Sequence, residues 1–257
     1  MKHIIRTSQT LVFAAMVLLF SACGDPNTVS VATDSGFVPF EFIDENTGEL
    51  IGFDIDLINA IAEEAGLELR INTMEFDGLI AAVHTGRHDM GIAGITITEA
   101  RKEQVDFSDP YYDAGLIIAV RADNDTITSE ADLAGKRVGT RSGTTSETYL
   151  RENHPDARIV AFPGIVEAYM DLTAGRVDAV LYDVPNVRYY ASQSDGNGDG
   201  EQIRTIGDVL QGEQYGIVFP KGSPHVEPVN QALRTLRENG TYDEIHAKWF
   251  GEPADSE

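Results

Sequence analysis

The chain has 257 residues, of which 42% are hydrophobic, and its formal net charge is −23 at pH 7. A chain of this size can bury one large core or two smaller ones. So strong a negative charge repels nucleic acid and anionic lipid headgroups, which argues against both as partners. The acidic residues are otherwise typical of a solvated surface and carry little information about a ligand.

The first 22 residues have the pattern of a lipoprotein signal peptide. Basic residues precede an apolar run, LVFAAMVLLF (11–20), which is too short to span a bilayer comfortably. The run ends at FSAC (20–23), which resembles the bacterial lipoprotein cleavage site. We predict that Cys23 is diacylated and that 23–27 is a lipidated tether, which places the protein in the periplasm or at the cell surface. An ordinary secretory signal with an incidental cysteine is the alternative.

Strand and helix patterns alternate after the tether. A buried strand over 29–33 ends at Asp34, and a helix over 54–65 has Asp54 as its predicted N-cap and Gly66 as its C-terminal stop. A strand over 68–72, a helix over 77–86 and a strand over 90–93 follow. This alternation predicts an α/β sheet that is covered on both faces.

One pattern occurs twice in the chain. Residues 81–93 and 170–182 both read as a helix that ends in Gly-Arg-x-Asp and continues into an apolar strand. Their spacing is that of domains and is too long for a solenoid repeat. We therefore expect two lobes. Ligands of open α/β sheets bind beyond the carboxyl ends of the strands, so the strand ends should face one cleft between the lobes.

Residues near these strand ends suit the two charges of a free amino acid. Arg101 lies in the first turn of a helix that Thr98 begins, where the helix dipole favours acids. A bidentate grip on an α-carboxylate explains an arginine there, and a surface ion pair is the alternative. The turn 142–147 offers backbone N–H groups to the same carboxylate, with plain helix capping as the equal alternative. Asp183 ends an apolar strand and is the candidate for the ammonium group.

Metal sites are not expected. His84 and His88 have the spacing of a metal pair, but Gly86 interrupts the helix between them. The insert 194–200 begins like a calcium loop, but Ile206 stands at position twelve, where a bidentate Glu is needed. The sequence therefore predicts no metal and no cofactor.

Six segments together resemble the polar amino-acid-binding family of ABC-importer solute-binding proteins, and within it the glutamine-binding proteins. They are VATDSGFVPFEF (31–42), GFDIDL (52–57), AGITITEARKEQVDFSDPYY (93–112), AVLYDVPN (179–186), QYGIVFPKGS (214–223) and LRENGTYDEIHAKWFG (236–251). The resemblance implies the α/β, two-lobed periplasmic-binding-protein fold of type II, a clam-shell with two hinge strands. It divides the chain into lobe 1 (28–110 and 216–251), lobe 2 (116–210), hinges (111–115 and 211–215) and an acidic tail (252–257).

The resemblance also implies a role for each site residue. It assigns the α-carboxylate to Arg101, the Thr96 backbone and the Thr145 turn, and the α-ammonium to Asp183 and the Gly94 carbonyl. It places the ligand side chain between Phe37 and Phe76, with its amide hydrogen-bonded to Asp34. Three positions bordering the pocket differ from the glutamine-binding pattern: Arg141 replaces Lys, Tyr182 replaces His and Thr145 replaces Gly.

The function implied is that of a monomeric, extracytoplasmic binding protein that delivers a polar amino acid to an ABC importer permease. We expect glutamine, because Asp34 accepts from a donor group and Arg141 disfavours a cation in the pocket. A basic amino acid (arginine, lysine or histidine) is the alternative ligand, and a receptor is the alternative destination. A dehydratase-type enzyme shares this fold, but no GxSxG or HExxH motif occurs. Both aspartates are needed for binding, so we predict no enzymatic activity.

Overall fold

The computed structural model describes residues 28–194 and 202–251. The signal peptide, Cys23 with the tether, all but the first residue of the insert 194–200, and the tail 252–257 lie outside the described residues. Within the described ranges, no helix combines the length and apolar character that crossing a membrane requires.

The secondary structure alternates as the sequence predicted. In chain order the strands are β1 (Thr28–Thr33), β2 (Gly36–Phe37), β3 (Glu41–Ile43), β4 (Leu50–Ile51), β5 (Glu68–Thr73), β6 (Met90–Gly91), β7 (Asp106–Phe107), β8 (Tyr112–Arg121), β9 (Arg137–Arg141), β10 (Arg158–Phe162), β11 (Ala179–Asp183), β12 (Ile203–Tyr215) and β13 (Val218–Phe219). The helices are α1 (Phe53–Ala65), α2 (Phe76–His84), α3 (Glu99–Lys102), α4 (Thr145–Asn153), α5 (Ile165–Thr173), α6 (Val184–Ser194), α7 (Val226–Glu238) and α8 (Thr241–Phe250).

Two mixed sheets form the cores of two lobes, which confirms the predicted fold class. The first sheet has the order β5-β1-β6-β13-β7, with β1 parallel to β5 and β6. The second has the order β10-β9-β11-β8-β12, with β9 parallel to β10 and β11. A small antiparallel sheet, β2-β3-β4, adjoins the first lobe.

The strands β8 and β12 connect the two lobes. They pair antiparallel along their lengths, with a register shift between Ile206 and Gln211. Tyr215, at the end of β12, also forms a bridge with Thr96 of the first lobe. The segments 111–115 and 211–215 lie where these two strands leave the second sheet.

The repeated Gly-Arg-x-Asp pattern makes the same contact in both lobes. Gly86 and Gly175 take left-handed φ angles of 72° and 70°, which glycine adopts without strain. The carboxylates of Asp89 and Asp178 then accept a backbone N–H from the neighbouring strand, each at 2.8 Å. The repeat thus fastens each helix-to-strand turn to the sheet.

Helix α1 differs from its prediction at one end. Gly66 ends it with a left-handed φ of 66°, as expected, but Asp54 is not the N-cap, because the cap position is occupied by Gly52. The side chain of Asp54 is fully buried and accepts hydrogen bonds from residues outside the helix. The Asp54 carboxylate therefore makes tertiary hydrogen bonds instead of capping the helix.

Candidate functional site

The predicted binding residues converge on a single cavity between the lobes. All of them except Asp34 line it: Phe37, Phe76, Gly94, Thr96, Arg101, Arg141, Thr145, Tyr182 and Asp183. Asp34 is buried and its carboxylate lies 2.5 Å from Nη1 of Arg141. These residues meet because β1, β6, β9 and β11 all end at the cleft, as expected for the carboxyl ends of strands in open α/β sheets.

Arg101 is a partly buried cation that reaches both lobes. Its Nη1 donates to the Thr96 carbonyl at 2.8 Å, and its Nη2 donates to the Gly143 carbonyl of the second lobe at 3.3 Å. Burial lowers the pKa of Arg101 from its ordinary value. Among the residues of 28–194 and 202–251, no carboxylate lies within ion-pair distance of this guanidinium. Its charge is therefore available to an anionic group in the cavity.

The surface ion pair considered for Arg101 is made by its neighbour. Lys102 pairs with Glu99 at 2.8 Å on the exposed side of α3. The Thr98 hydroxyl accepts from the Arg101 backbone N–H at 3.2 Å, so Thr98 is the helix cap that the sequence predicted. The cap fixes the first turn of α3, and the Thr96 and Gly143 carbonyl groups hold the Arg101 side chain at the cleft.

Asp183 is the acidic side chain at the opposite wall. It ends β11, is 5% exposed, and accepts a hydrogen bond from the Tyr215 hydroxyl. Burial, and then the nearby charge of Glu213, raises the pKa of Asp183 to about 8. A carboxylate in this environment is stabilised by an incoming cation, since a nearby positive charge favours the ionised form.

Glu213 is a buried acid of the site that the sequence analysis missed. It accepts from the Thr96 hydroxyl at 3.1 Å and from Nε2 of Gln211 at 3.2 Å, and the Thr145 hydroxyl also donates to it. Burial raises its pKa above the ordinary value. The available signal was the alternation along β12, where Glu213 and Tyr215 face inwards and the residue between them is exposed.

The other end of the cavity contains a paired arginine. Arg141 is 3% exposed; it pairs with Asp34 and its Nε donates to the Pro163 carbonyl at 3.0 Å. Burial opposes its charge, but Tyr182 and Asp34 together raise the pKa of Arg141 above its ordinary value. The guanidinium therefore stays charged and its charge is balanced by Asp34.

Two aromatic rings form the apolar walls. The Phe76 ring lies 5.6 Å from the guanidinium of Arg101 and 5.3 Å from that of Arg141, within cation–π range of both. The Phe37 ring stacks on Phe40 at 5.0 Å and packs against Gly94, where a Cβ would come within 2.4 Å of the ring. Phe37 is therefore both a core residue and a wall of the cavity.

The histidine pair is not assembled as a metal site. Nδ1 of His84 lies 2.7 Å from the Gln104 carbonyl, which occupies one of its ring nitrogens. In the part of the chain that the structure describes, no group of three His, Cys, Asp or Glu residues is placed to hold a metal ion.

Known proteins resemble this chain over almost all of its described length. The sequence model of the family "Bacterial extracellular solute-binding proteins, family 3" matches residues 29–252. "ABC transporter arginine-binding protein 1" of Escherichia coli (strain K12) is 32% identical over 93% of this chain and 98% of that protein.

Two solved structures of similar proteins contain different ligands. "An ancestral arginine-binding protein bound to glutamine" has 44% identity and a TM-score of 0.81 over 88% of this chain and 99% of that one. "An ancestral arginine-binding protein bound to arginine" has 45% identity and a TM-score of 0.82 over the same shares of the two chains.

Proposed function

This chain belongs to family 3 of the bacterial extracellular solute-binding proteins, as an amino-acid-binding component of ABC importers, and we propose that its ligand is L-glutamine. The observation that carries the proposal is the arrangement of charges in the cavity. Arg101 and Asp183 serve the two charges of the amino acid, and the Arg141–Asp34 pair faces its side chain.

The α-carboxylate and α-ammonium groups have partners on different lobes. Arg101 comes from α3 in the first lobe, and Asp183 comes from β11 in the second. A zwitterion between them neutralises both buried charges only when the lobes are closed. Closure also excludes water, which strengthens both charge-assisted contacts, so the ligand shifts the population towards the closed form.

The side-chain end favours a neutral amide. An amide offers both a donor and an acceptor, so glutamine can donate to Asp34 and accept from Arg141 without disturbing their ion pair. A glutamate side chain would oppose Asp34, and an arginine side chain would oppose Arg141. The Thr96 backbone, the Gly94 carbonyl, the Thr145 turn, Phe37 and Phe76 keep the roles that the family resemblance implies.

Arginine is the second candidate ligand. The similar proteins include an arginine-binding protein of Escherichia coli, and one of the two ancestral structures contains arginine. The buried acids Asp34, Asp183 and Glu213 also outnumber the two cleft arginines, which favours an added cation. On this alternative, the Arg141–Asp34 pair would have to open to admit a second guanidinium.

A thermal-shift screen of the twenty amino acids, followed by calorimetry, tests the ligand. A ligand at about one hundred times its Kd stabilises the folded state by about 2.7 kcal/mol. We expect glutamine to give the largest stabilisation, and Arg141→Met to shift the preference towards arginine by freeing Asp34. Strongest stabilisation of the unmodified protein by arginine would contradict the glutamine assignment, and no stabilisation by any amino acid would contradict the binding site itself.

We also propose that Cys23 is lipidated and that the protein is a monomer whose lobes move about the segments 111–115 and 211–215. Cys23→Ala should move the protein from the membrane fraction to the soluble extracytoplasmic fraction, because two acyl chains are needed for stable anchoring. Equal membrane association of the two forms would contradict the lipid anchor.

Light scattering of the purified protein measures its molecular mass in solution and so tests whether it is a monomer.

A further inference from the structure

Two carboxyl groups are buried together beneath the cavity wall. Glu41 in β3 and Asp54 in the first turn of α1 are both completely inaccessible to solvent. Both oxygens of Glu41 and Oδ1 of Asp54 have no hydrogen-bond partner among the described residues when the two groups are treated as ionised acceptors. Two buried, unpaired carboxylates side by side would be strongly destabilising, so their charge state needs an explanation.

A glycine brings the two acids into contact. A Cβ on Gly52 would lie 2.0 Å from the Phe40 carbonyl oxygen and 2.8 Å from the Glu41 nitrogen, so only glycine allows β3 and α1 to approach this closely. The Asp54 backbone N–H donates to the same Phe40 carbonyl at 2.8 Å. This packing places the two carboxyl groups within hydrogen-bonding contact of each other.

The other oxygen of Asp54 supports the binding site. Oδ2 accepts from the Gly94 backbone N–H at 2.9 Å and from the Tyr111 hydroxyl at 2.8 Å. Gly94 is the residue whose carbonyl is assigned to the ligand ammonium, and Tyr111 is the first residue of the segment 111–115. Asp54 therefore anchors the backbone nitrogen of Gly94, the residue whose carbonyl lies at the ammonium end of the cavity.

We propose that Glu41 and Asp54 share one proton, which Glu41 carries and donates to Oδ1 of Asp54, and that this pair positions Gly94 for ligand binding. The positioning role rests on the proposed amino-acid-binding function. One proton leaves a single negative charge in place of two and provides a donor for an otherwise unpaired oxygen. The remaining negative charge is on Asp54, whose Oδ2 accepts the hydrogen bonds from Gly94 and Tyr111.

Burial and the surrounding charges favour this distribution of the proton. Burial, and then the charges of Asp54 and Asp34, raises the pKa of Glu41 well above its ordinary value, and Arg141 opposes them. Burial raises the pKa of Asp54 to about 7, while its bonds from Gly94 and Tyr111 favour its ionised form. Glu41 is therefore the member of the pair that holds the proton at neutral pH.

Substitution of Glu41 by glutamine distinguishes a protonated Glu41 from an ionised one, because the glutamine amide can donate a hydrogen bond as the protonated acid does. Glu41→Gln keeps a donor towards Asp54, so we expect its affinity for L-glutamine, with L-arginine as a second titrant, to stay within about twofold of the unmodified protein. Glu41→Ala removes the donor and should weaken binding by about tenfold or more. Glu45→Gln, an exposed change of the same chemistry in the next loop, is the control. Equal losses in Glu41→Gln and Glu41→Ala would overturn the proposal.

Two measurements test the pair without any ligand. Infrared spectroscopy at pH 7 should show the C=O stretch of protonated carboxylic acids. Glu41→Gln should remove one component of this band, whereas Asp183→Asn should remove the separate component that comes from Asp183. Hydrogen exchange followed by NMR should show a protected Gly94 amide in the unmodified protein and in Glu41→Gln, but not in Glu41→Ala. An acid band that is unchanged in Glu41→Gln, or unchanged protection in Glu41→Ala, would overturn the proposal. If both signatures are present but no amino acid binds, the proposed function fails and the shared proton stands.

Discussion

The two arginines of the cleft differ in what they contact. Arg141 is paired with Asp34 at 2.5 Å, whereas the side-chain hydrogen bonds of Arg101 within 28–194 and 202–251 go to backbone carbonyl groups, those of Thr96 and Gly143. A partly buried cation that is hydrogen-bonded to neutral acceptors gains more from a carboxylate than one that is already paired. Arg101 is therefore the stronger determinant of amino-acid binding, and Arg141 the stronger determinant of which amino acid binds.

Removing the Arg101 guanidinium should weaken ligand binding strongly. Arg101→Ala leaves a buried ligand carboxylate without its partner, and we expect a loss of about 2–5 kcal/mol in calorimetric titrations. Lys102→Ala is the matched control, because this neighbouring cation is half-exposed and pairs only with Glu99. Near-native affinity in Arg101→Ala would show that the carboxylate binds elsewhere.

Ligand binding should release a proton at neutral pH. The pKa of Asp183 is raised to about 8 by burial and by Glu213, so the free site is largely protonated at pH 7. The ligand ammonium lowers that pKa in the complex, so affinity should rise with pH and level off above about 8. Calorimetry at pH 7 in buffers of different ionisation enthalpy measures the proton released. No dependence on the buffer would contradict this linkage.

The strand β12 connects the lobes and also supplies side chains to the binding site. Its buried residue Glu213 receives the hydroxyl of Thr96 from the first lobe and that of Thr145 from the second. One carboxylate on this strand therefore collects donors from both sides of the cleft when the lobes are together. The strand also carries Tyr215, whose hydroxyl donates to Asp183.

Neutralising Glu213 should weaken binding and reduce proton release together. Glu213→Gln removes the negative charge near Asp183 and one acceptor of a charge-assisted bond, and we expect a loss of about 1.5–3 kcal/mol in affinity. Because Glu213 is one cause of the raised pKa of Asp183, less proton should be released at pH 7. Asp208→Asn, an exposed change on the same strand, should alter neither quantity. A normal proton release in Glu213→Gln would rule out the coupling.

The two lobes are closed against each other in this structure. Nδ2 of Asn186 in the second lobe donates to the Val38 carbonyl of the first at 2.6 Å. At Gly143, a Cβ would lie 3.2 Å from the Cβ of Asp77 across the cleft. Apolar side chains also meet across the cleft, as Phe37 and Tyr182 do with ring centroids 5.7 Å apart. A ligand that bridges the lobes adds to these contacts and shifts the population further towards the closed form.

Removing the Asn186 contact should favour the open form. Asn186→Ala deletes one hydrogen bond between the lobes, worth about 0.5–1.5 kcal/mol, and should lower ligand affinity by a similar amount. Small-angle X-ray scattering should show a larger radius of gyration for this variant without ligand and an equal one with saturating glutamine. Identical scattering of both proteins without ligand would contradict the contribution of this contact to closure.

Local patterns in the sequence were sufficient for the fold class, whereas most of the predicted binding residues came from the family resemblance. Helical spacing and Gly66 predicted α1, and the repeated Gly-Arg-x-Asp motif predicted two lobes. The rule that ligands bind beyond the carboxyl ends of strands, together with the family resemblance, predicted that the site residues lie close together. The helix and the repeat can be recognised from the sequence because each depends on residues that are neighbours in the chain or occupy the same position of a repeated unit.

Only the tertiary structure decided how the buried charges are shared. Sequence position marked Asp54 as a helix cap, but Gly94 and Tyr111, distant in the chain, take its carboxylate. The burial of Glu41 and Glu213 likewise depends on close packing between segments far apart in sequence. Whether an acidic side chain is solvated and charged or buried and hydrogen-bonded depends on the residues packed around it, and these come together only when the chain folds.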